Sequence, residues 1–362
     1  MIIKDRFDKV VANMKEMGIP QILVGTEAPV GYLTGREFKP MERCGAILIR
    51  DNGETIAFMN NLFCFEPLEG VDMRYYADGE NVYKMIADEL APGKVGFDNK
   101  WLSKHTVGVL LERDDISPCD GSLPIDYAKM IKGEDEIAKL KNAGRVNDMA
   151  VELGISMIKA GRKEKEIADA IEALFEANGG VQDEQYQLVM YGPNAADPHH
   201  GADAVSELKD GDCVLFDLWA PINGYWCDMT RTVFYKYVSD RDREVYEIVK
   251  KAQQAALDFI KPGVKMSDID KVARDIITEA GYGPNFTHRL GHGVGLTVHE
   301  FPDASPVCDI IAQPGMCFSV EPGIYLSGEM GVRIEDLVIV TEDGCETLTK
   351  YPKDLIVVGA EE

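Results

Sequence analysis

Residues 212–235 read DCVLFDLWAPINGYWCDMTRTVFY. Two apolar, aromatic-rich runs flank Asn223-Gly224. Asn-Gly favours a tight two-residue turn because both residues tolerate positive φ, so the pattern predicts a β-hairpin. One acid interrupts each arm: Asp217 in VLFDLWA and Asp228 in YWCDMTRT, eleven residues apart. A carboxylate carried into apolar surroundings costs several kcal/mol unless it is paired or metal-bound.

Two further acids share this setting. Glu321 stands in FSVEPGIY and Glu335 in VRIEDLV, fourteen residues apart. Taken singly, each of the four reads as an outward-facing strand residue in period-2 alternation. Taken together, they ask for a shared counter-charge. Four carboxylates and one neutral imidazole form a donor set for a pair of hard or borderline divalent cations. The imidazole is sought in residues 289–300, RLGHGVGLTVHE, where His292 lies between Gly291 and Gly293 and can approach a metal with little steric obstruction. A nucleotide-loop reading of GHGVG is weak, since it lacks the GxGxxG spacing and no Walker lysine follows.

The bulk properties narrow the partners. At 362 residues the chain suggests two domains, with 45% hydrophobic residues and a mean hydropathy of -0.16. Acids outnumber bases 62 to 38, giving a formal charge of -24. Such a surface repels phosphate backbones and anionic lipid, which argues against nucleic acid and membrane as partners. No apolar run approaches the ~18–20 residues of a membrane span. The first stretch, MIIKDRFDKVVANMKEMG, reads as an amphipathic helix rather than a signal peptide. Eight scattered cysteines with no CxxC pair suggest reduced thiols and a cytoplasmic location.

Residues 1–125 alternate strand runs (QILV 21–24, GAILI 45–49, TIAFMN 55–60) with helical stretches, which predicts a small α/β domain. SPCDGSLPID (117–126) is the best candidate linker. Over 126–362, Ile137, Leu140, Met149, Leu153 and Met157 follow helical spacing, as do Ile167, Ile171 and Leu174. After the hairpin, Ser239 or Asp240 offers a cap for one helix and Ser267 for another. The strand runs GMCFSVEPGIYL and GVRIEDLVIV follow. The order helix, helix, strands thus occurs twice, suggesting a duplicated α+β unit.

The order Asp, Asp, His, Glu, Glu, carried by GYWCDMTRT, THRLGHGVGLTVHE, VEPGIY and RIED, resembles the family of prolidase, aminopeptidase P and methionine aminopeptidase. The resemblance implies an α+β pita-bread (creatinase/aminopeptidase-like) catalytic domain over 126–362, preceded by a smaller α/β creatinase-type domain over 1–125, which GYLTG (31–35) suits. Methionine aminopeptidases generally lack that preceding domain, so the length favours the proline-peptidase branch. By resemblance Asp217, Asp228, His292, Glu321 and Glu335 hold two divalent metal ions per chain, manganese first, with cobalt, iron or zinc as alternatives. His299 would contact the substrate or the tetrahedral intermediate, and His288 would line the pocket. A third histidine comes from DPHHG, where the PH context favours His199 and the spacing to Asp217 favours His200. Glu321 would carry a proton from a metal-activated water to the leaving nitrogen. Arg333 would orient carboxylates, Tyr225 and Tyr325 would stand near the substrate, and Thr230 would hydrogen-bond a ligand. A small peptide substrate and a homodimer built on the N-terminal domain complete the expectation.

Two positions depart from the family pattern. Trp219 stands where glycine is usual and narrows the expected pocket. Asp303 stands where many dipeptidases place an arginine for the substrate's terminal carboxylate, and an acid there would repel it. This favours an Xaa-Pro aminopeptidase. The alternatives are an Xaa-Pro dipeptidase (prolidase), or a non-peptidase metal-dependent enzyme on the same fold. A non-catalytic binding module fits poorly, because all five ligand positions are filled.

Overall fold

The structure, a computed structural model, describes residues 2–181 and 187–360. The chain divides into two compact units, Met1–Lys129 and Met130–Glu362.

The first unit runs α1 (Lys4–Met17), β1 (Gln21–Val24), α2 (Glu27–Thr34), β2 (Ala46–Arg50), β3 (Thr55–Asn60), β4 (Asp72–Tyr76), α3 (Val82–Glu89), β5 (Gly93–Phe97), α4 (Ser103–Leu111), β6 (Ile116–Asp120) and α5 (Leu123–Met130). Its strands form one mixed sheet in the order β4-β3-β2-β1-β5-β6. Strands β1 and β3 are buried along their whole length and β2 along all but its last residue, which is why they read as continuous apolar runs rather than alternating ones. Leu23, Leu48, Phe58, Ile86 and Val95 meet in its core, each fully buried aliphatic or aromatic contributing about 1.5–3 kcal/mol. The stretch expected as a linker is instead β6 and the start of α5. β6 is the edge strand of the sheet, where Pro118 costs little because only one side of an edge strand is paired.

The second unit contains α6 (Glu134–Ser156), α7 (Glu164–Ala177), β7 (Leu188–Tyr191), β8 (Cys213–Ile222), β9 (Tyr225–Tyr235), α8 (Asp240–Phe259) and α9 (Met266–Glu279). There follow β10 (Gly291–Gly293), β11 (Glu300–Ala304), β12 (Cys317–Val320), β13 (Gly323–Leu326), β14 (Met330–Arg333), β15 (Asp336–Val340), β16 (Cys345–Thr347) and β17 (Val357–Val358). They form the sheets β17-β9-β8-β7 and β11-β10-β12-β15-β16, and the pair β13-β14. β8 and β9 are the hairpin read from the sequence, with Ile222 opposite Tyr225. Asn223 and Gly224 both have positive φ, 51° and 83°, as a type I′ turn requires. Val146, Ala150, Ile167 and Ile171 of α6 and α7 pack on Val214, Phe216 and Leu218 of β8.

The helix starts differ in one respect from expectation. Ser239 caps α8, its Oγ accepting from the Asp242 amide at 3.1 Å. Ser267, however, lies inside α9, whose first amides are filled by backbone: Met266 N donates to Ile310 O and Ser267 N to Cys308 O.

The two late strand runs are each broken, and the breaks fall at the acids. β12 pairs with β15 but β13 pairs with β14. The chain therefore changes sheet at Glu321-Pro322 and again at Ile334-Glu335. Glu321 and Glu335 stand at these crossings, not within regular ladders. Among the described residues, no helix is long and apolar enough to cross a membrane. All eight cysteines are free thiols.

Candidate metal centre

β8 and β9 place the first two acids. Asp217 faces Thr230 and Asp228 faces Trp219 across the ladder, so the acids lie on neighbouring strands two register positions apart. β10 brings His292, and the two sheet crossings bring Glu321 and Glu335. All five side chains line one cavity of about 560 Å³ within the second unit.

The donor atoms converge. One ligand atom each from Asp228, His292 and Glu335 lies within 4.8 Å of the others. His292 Nε2 is 3.3 Å from Glu321 Oε1 and 3.6 Å from Asp228 Oδ2. Its Nδ1 is 3.1 Å from Gly293 O. A carbonyl only accepts, so Nδ1 donates to it and Nε2 is the ring atom turned toward the two carboxylate oxygens. Glu335 Oε1 is buried with no hydrogen-bond partner, while Oε2 accepts from Thr230 Oγ1 at 2.7 Å. This donor set fits divalent metal ions of the kind that bind carboxylate and imidazole.

Electrostatics agree. Burial pushes the Asp228 and Glu335 carboxyls well above their usual range, and repulsion from the neighbouring acids adds to it. Asp217 is raised mainly by burial, against the pull of Arg333. Burial also raises Glu321, but the contact with His292 and the neighbouring cationic side chains, Arg333 among them, together outweigh this and bring it to about 2. A cluster that resists ionising together is one that divalent cations would hold ionised.

Arg333 ties the cluster to the cavity wall. It donates to Asp217 Oδ2 at 2.5 Å, to Thr230 Oγ1 at 3.0 Å and to Tyr325 OH at 2.7 Å. Tyr325 OH in turn lies 2.8 Å from His288 Nε2, while His288 Nδ1 lies 2.7 Å from the Arg289 carbonyl. That carbonyl fixes the proton on Nδ1, so Nε2 accepts from Tyr325. Burial lowers the pKa of His288, which favours this neutral form.

The other anticipated residues divide. His199, His288, Trp219, His299 and Asp303 line the cavity, and the rings of His299 and His292 meet edge-on with centroids 4.2 Å apart. His200 does not line it: its Nε2 lies 3.6 Å from Asp203 Oδ2. Glu164, His200 and Asp203 form a second acid–histidine group. Its carboxylates are already occupied, Glu164 by Tyr191 N, Asn194 and Asp203 N, and Asp203 by Val205 N and Ser206. Tyr225 is not at the cavity either. It is buried and donates to Glu136 Oε1 at 2.8 Å. Three residues separate it from Asp228, and on a strand an odd separation means opposite faces. Gly291 serves a different purpose from the one expected: a Cβ there would lie 1.9 Å from Ser319 O, so glycine lets β10 lie close to β12.

Arg289 is a cavity residue that the sequence reading passes over. Its Nε lies 3.3 Å from Asp303 Oδ1. The contact is electrostatic, since Nε makes no aligned hydrogen bond. A basic residue three positions before His292 is the sequence signal, but only the antiparallel β10–β11 pairing, which sets Asp303 opposite His292, brings that acid within reach of it.

Buried carboxylates converging on an imidazole nitrogen, in a cavity with further histidines, define a hydrolytic metalloenzyme. The chain belongs to metallopeptidase family M24, whose model matches residues 138–342, and a Creatinase/Prolidase N-terminal domain matches residues 6–125. It is 38% identical over 349 residues to an Xaa-Pro dipeptidase of Lactobacillus helveticus, covering 91% of this chain and 92% of that one. It is 36% identical over 367 residues to an Xaa-Pro dipeptidase of Lactobacillus delbrueckii subsp. lactis, covering 98% and 99%. The crystal structure of a recombinant prolidase from Thermococcus sibiricus superimposes with a TM-score of 0.91 at 34% identity, covering 99% and 100%. The fold is the α+β pita-bread catalytic domain with a creatinase-type N-terminal domain, and the protein is an enzyme of this metal-dependent class.

Proposed function

We propose that the protein hydrolyses Xaa-Pro dipeptides with two divalent metal ions held by Asp217, Asp228, His292, Glu321 and Glu335. The observation that carries the chemistry is His292 directing Nε2 at Glu321 and Asp228 beside the unpartnered Glu335 Oε1. When bound, the ions supply Lewis acidity toward the scissile carbonyl and a water acidified to near neutral pH. The remaining tasks fall to the chain. Arg333 and Thr230 hold Asp217 and Glu335 in place. Glu321, with Oε1 accepting from Ser319 Oγ at 3.0 Å, is placed at the cavity wall to move a proton to the leaving nitrogen. His299 and His199 supply donors for the developing oxyanion. A carboxylate-rich donor set suits manganese.

The dipeptide preference rests on Arg289. Alone, Asp303 would repel a terminal carboxylate and favour an aminopeptidase. Arg289 lies against Asp303 and offsets that charge, so the cavity wall presents a guanidinium to a terminal carboxylate. The named activity of the similar Lactobacillus proteins supports the same branch. Purified protein with added Mn(II), assayed on Ala-Pro, Ala-Pro-Ala and Met-Ala-Ala, tests the reading. Ala-Pro should be cleaved fastest, and cleavage of Met-Ala-Ala alone would overturn it. For the N-terminal unit we propose a role in a homodimer, to be checked by sedimentation at micromolar concentration.

A further inference from the structure

His299 sits on the short segment between β10 and β11 and is exposed at the cavity, yet a hydrogen-bond donor to a developing oxyanion has to be held to a fraction of an ångström. Something must hold the segment. Glu300, the next residue, points the other way and is buried. Its Oε1 accepts from the amides of Leu296 at 2.9 Å and Thr297 at 3.3 Å, which closes residues 296–300 into a ring. Its Oε2 accepts from Lys132 Nζ at 2.8 Å, an ion pair whose side chains are 2% and 1% exposed. Gly295 makes room for it, since a Cβ there would lie 2.5 Å from Glu300 Oε2 and 2.8 Å from Lys132 Nζ. The outer side of the ring is held by Trp226, whose backbone N donates to Gly295 O at 2.8 Å and whose indole donates to Leu296 O at 3.0 Å. Thr297 Oγ1 donates to His299 O at 2.9 Å.

We propose that Glu300, locked by Lys132, is a positioning residue for His299. A buried ion pair is a poor device for stability alone, because desolvating both charges cancels much of their attraction. Here the carboxylate has a geometric task. It fixes two amides of the segment that carries an otherwise exposed ring. Neither Lys132 nor Glu300 lines the cavity, so neither reaches substrate. The inference rests on the role proposed above for His299.

A double-mutant cycle tests it. Lys132→Met should lower kcat by about 10- to 100-fold, the cost of a displacement near 1 Å. KM for Ala-Pro and the bound-metal content should stay unchanged. In a His299→Ala background the same substitution should change kcat by less than about threefold, because the group it positions is gone. Glu300→Ala, which removes the acceptor from both amides, runs through the same cycle and decides the matter if Lys132→Met does not fold, while Glu300→Gln, which keeps that acceptor, should lose less turnover than Glu300→Ala. Equal losses in both backgrounds, or loss of metal in the single variants, would remove the positioning role while leaving the proposed function intact. Full turnover in His299→Ala itself would remove the role given to His299 and this proposal with it.

Discussion

Replacing Arg289 by methionine keeps most of the side-chain volume and deletes the charge that faces the cavity. A bound Ala-Pro carries its carboxylate just past the proline ring. At about 5 Å and an effective dielectric near 20, a guanidinium and a carboxylate attract by roughly 3 kcal/mol. Two features of the structure reduce that figure. The side chain of Arg289 is 36% exposed, so solvent and salt screen it, and Asp303 at 3.3 Å opposes the substrate's charge. What remains is on the order of 1–1.5 kcal/mol, close to tenfold in kcat/KM. Ala-Pro-Ala presents a neutral amide at the same place and loses little. The assay is therefore a ratio, kcat/KM for Ala-Pro over that for Ala-Pro-Ala, which cancels any general damage. Arg289→Met should lower the ratio by about tenfold. Asp303→Asn should raise it by about threefold, since it frees the guanidinium. A ratio unmoved by either substitution would show that this pair does not read the substrate's terminus.

Asp228→Ala and Glu335→Ala should each abolish stoichiometric metal binding, read by metal analysis after dialysis, because both carboxylates lie at the centre of the cluster. Removing metal with a chelator should lower Tm by about 5–10 °C if the ions bind with free concentration near a hundred times Kd, a stabilisation of roughly 2.7 kcal/mol. Tyr225→Phe should leave kcat/KM within about twofold and cost about 1 kcal/mol of stability, because it loses the bond to Glu136; a large activity loss would return Tyr225 to the cavity. Gly291→Ala should destabilise the protein by about 3 kcal/mol or more, seen as a lower denaturant midpoint, since its Cβ would meet Ser319 O at 1.9 Å.

The hairpin and its two acids were legible because Asn223-Gly224 imposes a turn and a turn fixes register. The convergence of Asp217, Asp228 and His292 with the two glutamates could be inferred from their shared oddity: charge where only apolar side chains should be. Position within a coil was not legible. His199 and His200 are adjacent in an irregular segment with no period to say which one turns inward. Tyr225 reads as a cavity residue from its neighbourhood, and strand parity with Asp228 speaks against it. The sheet changes at Glu321 and Glu335 were hidden inside apolar runs, and Pro322 was their local trace. The pairing of Arg289 with Asp303 depends on how two strands meet, which neither stretch reports alone.

The sheet changes have one more consequence. Glu321 leaves the β12–β15 sheet as the chain enters the β13–β14 pair, and Glu335 marks the return. An ion gripped by both would act as a rivet through two separately hydrogen-bonded layers, next to a hairpin that contributes Asp217 and Asp228. Catalytic competence and mechanical cohesion would then draw on one supply. A cell short of the metal would hold an enzyme that is both idle and looser at its seams, and so exposed to proteolysis where the strands part company.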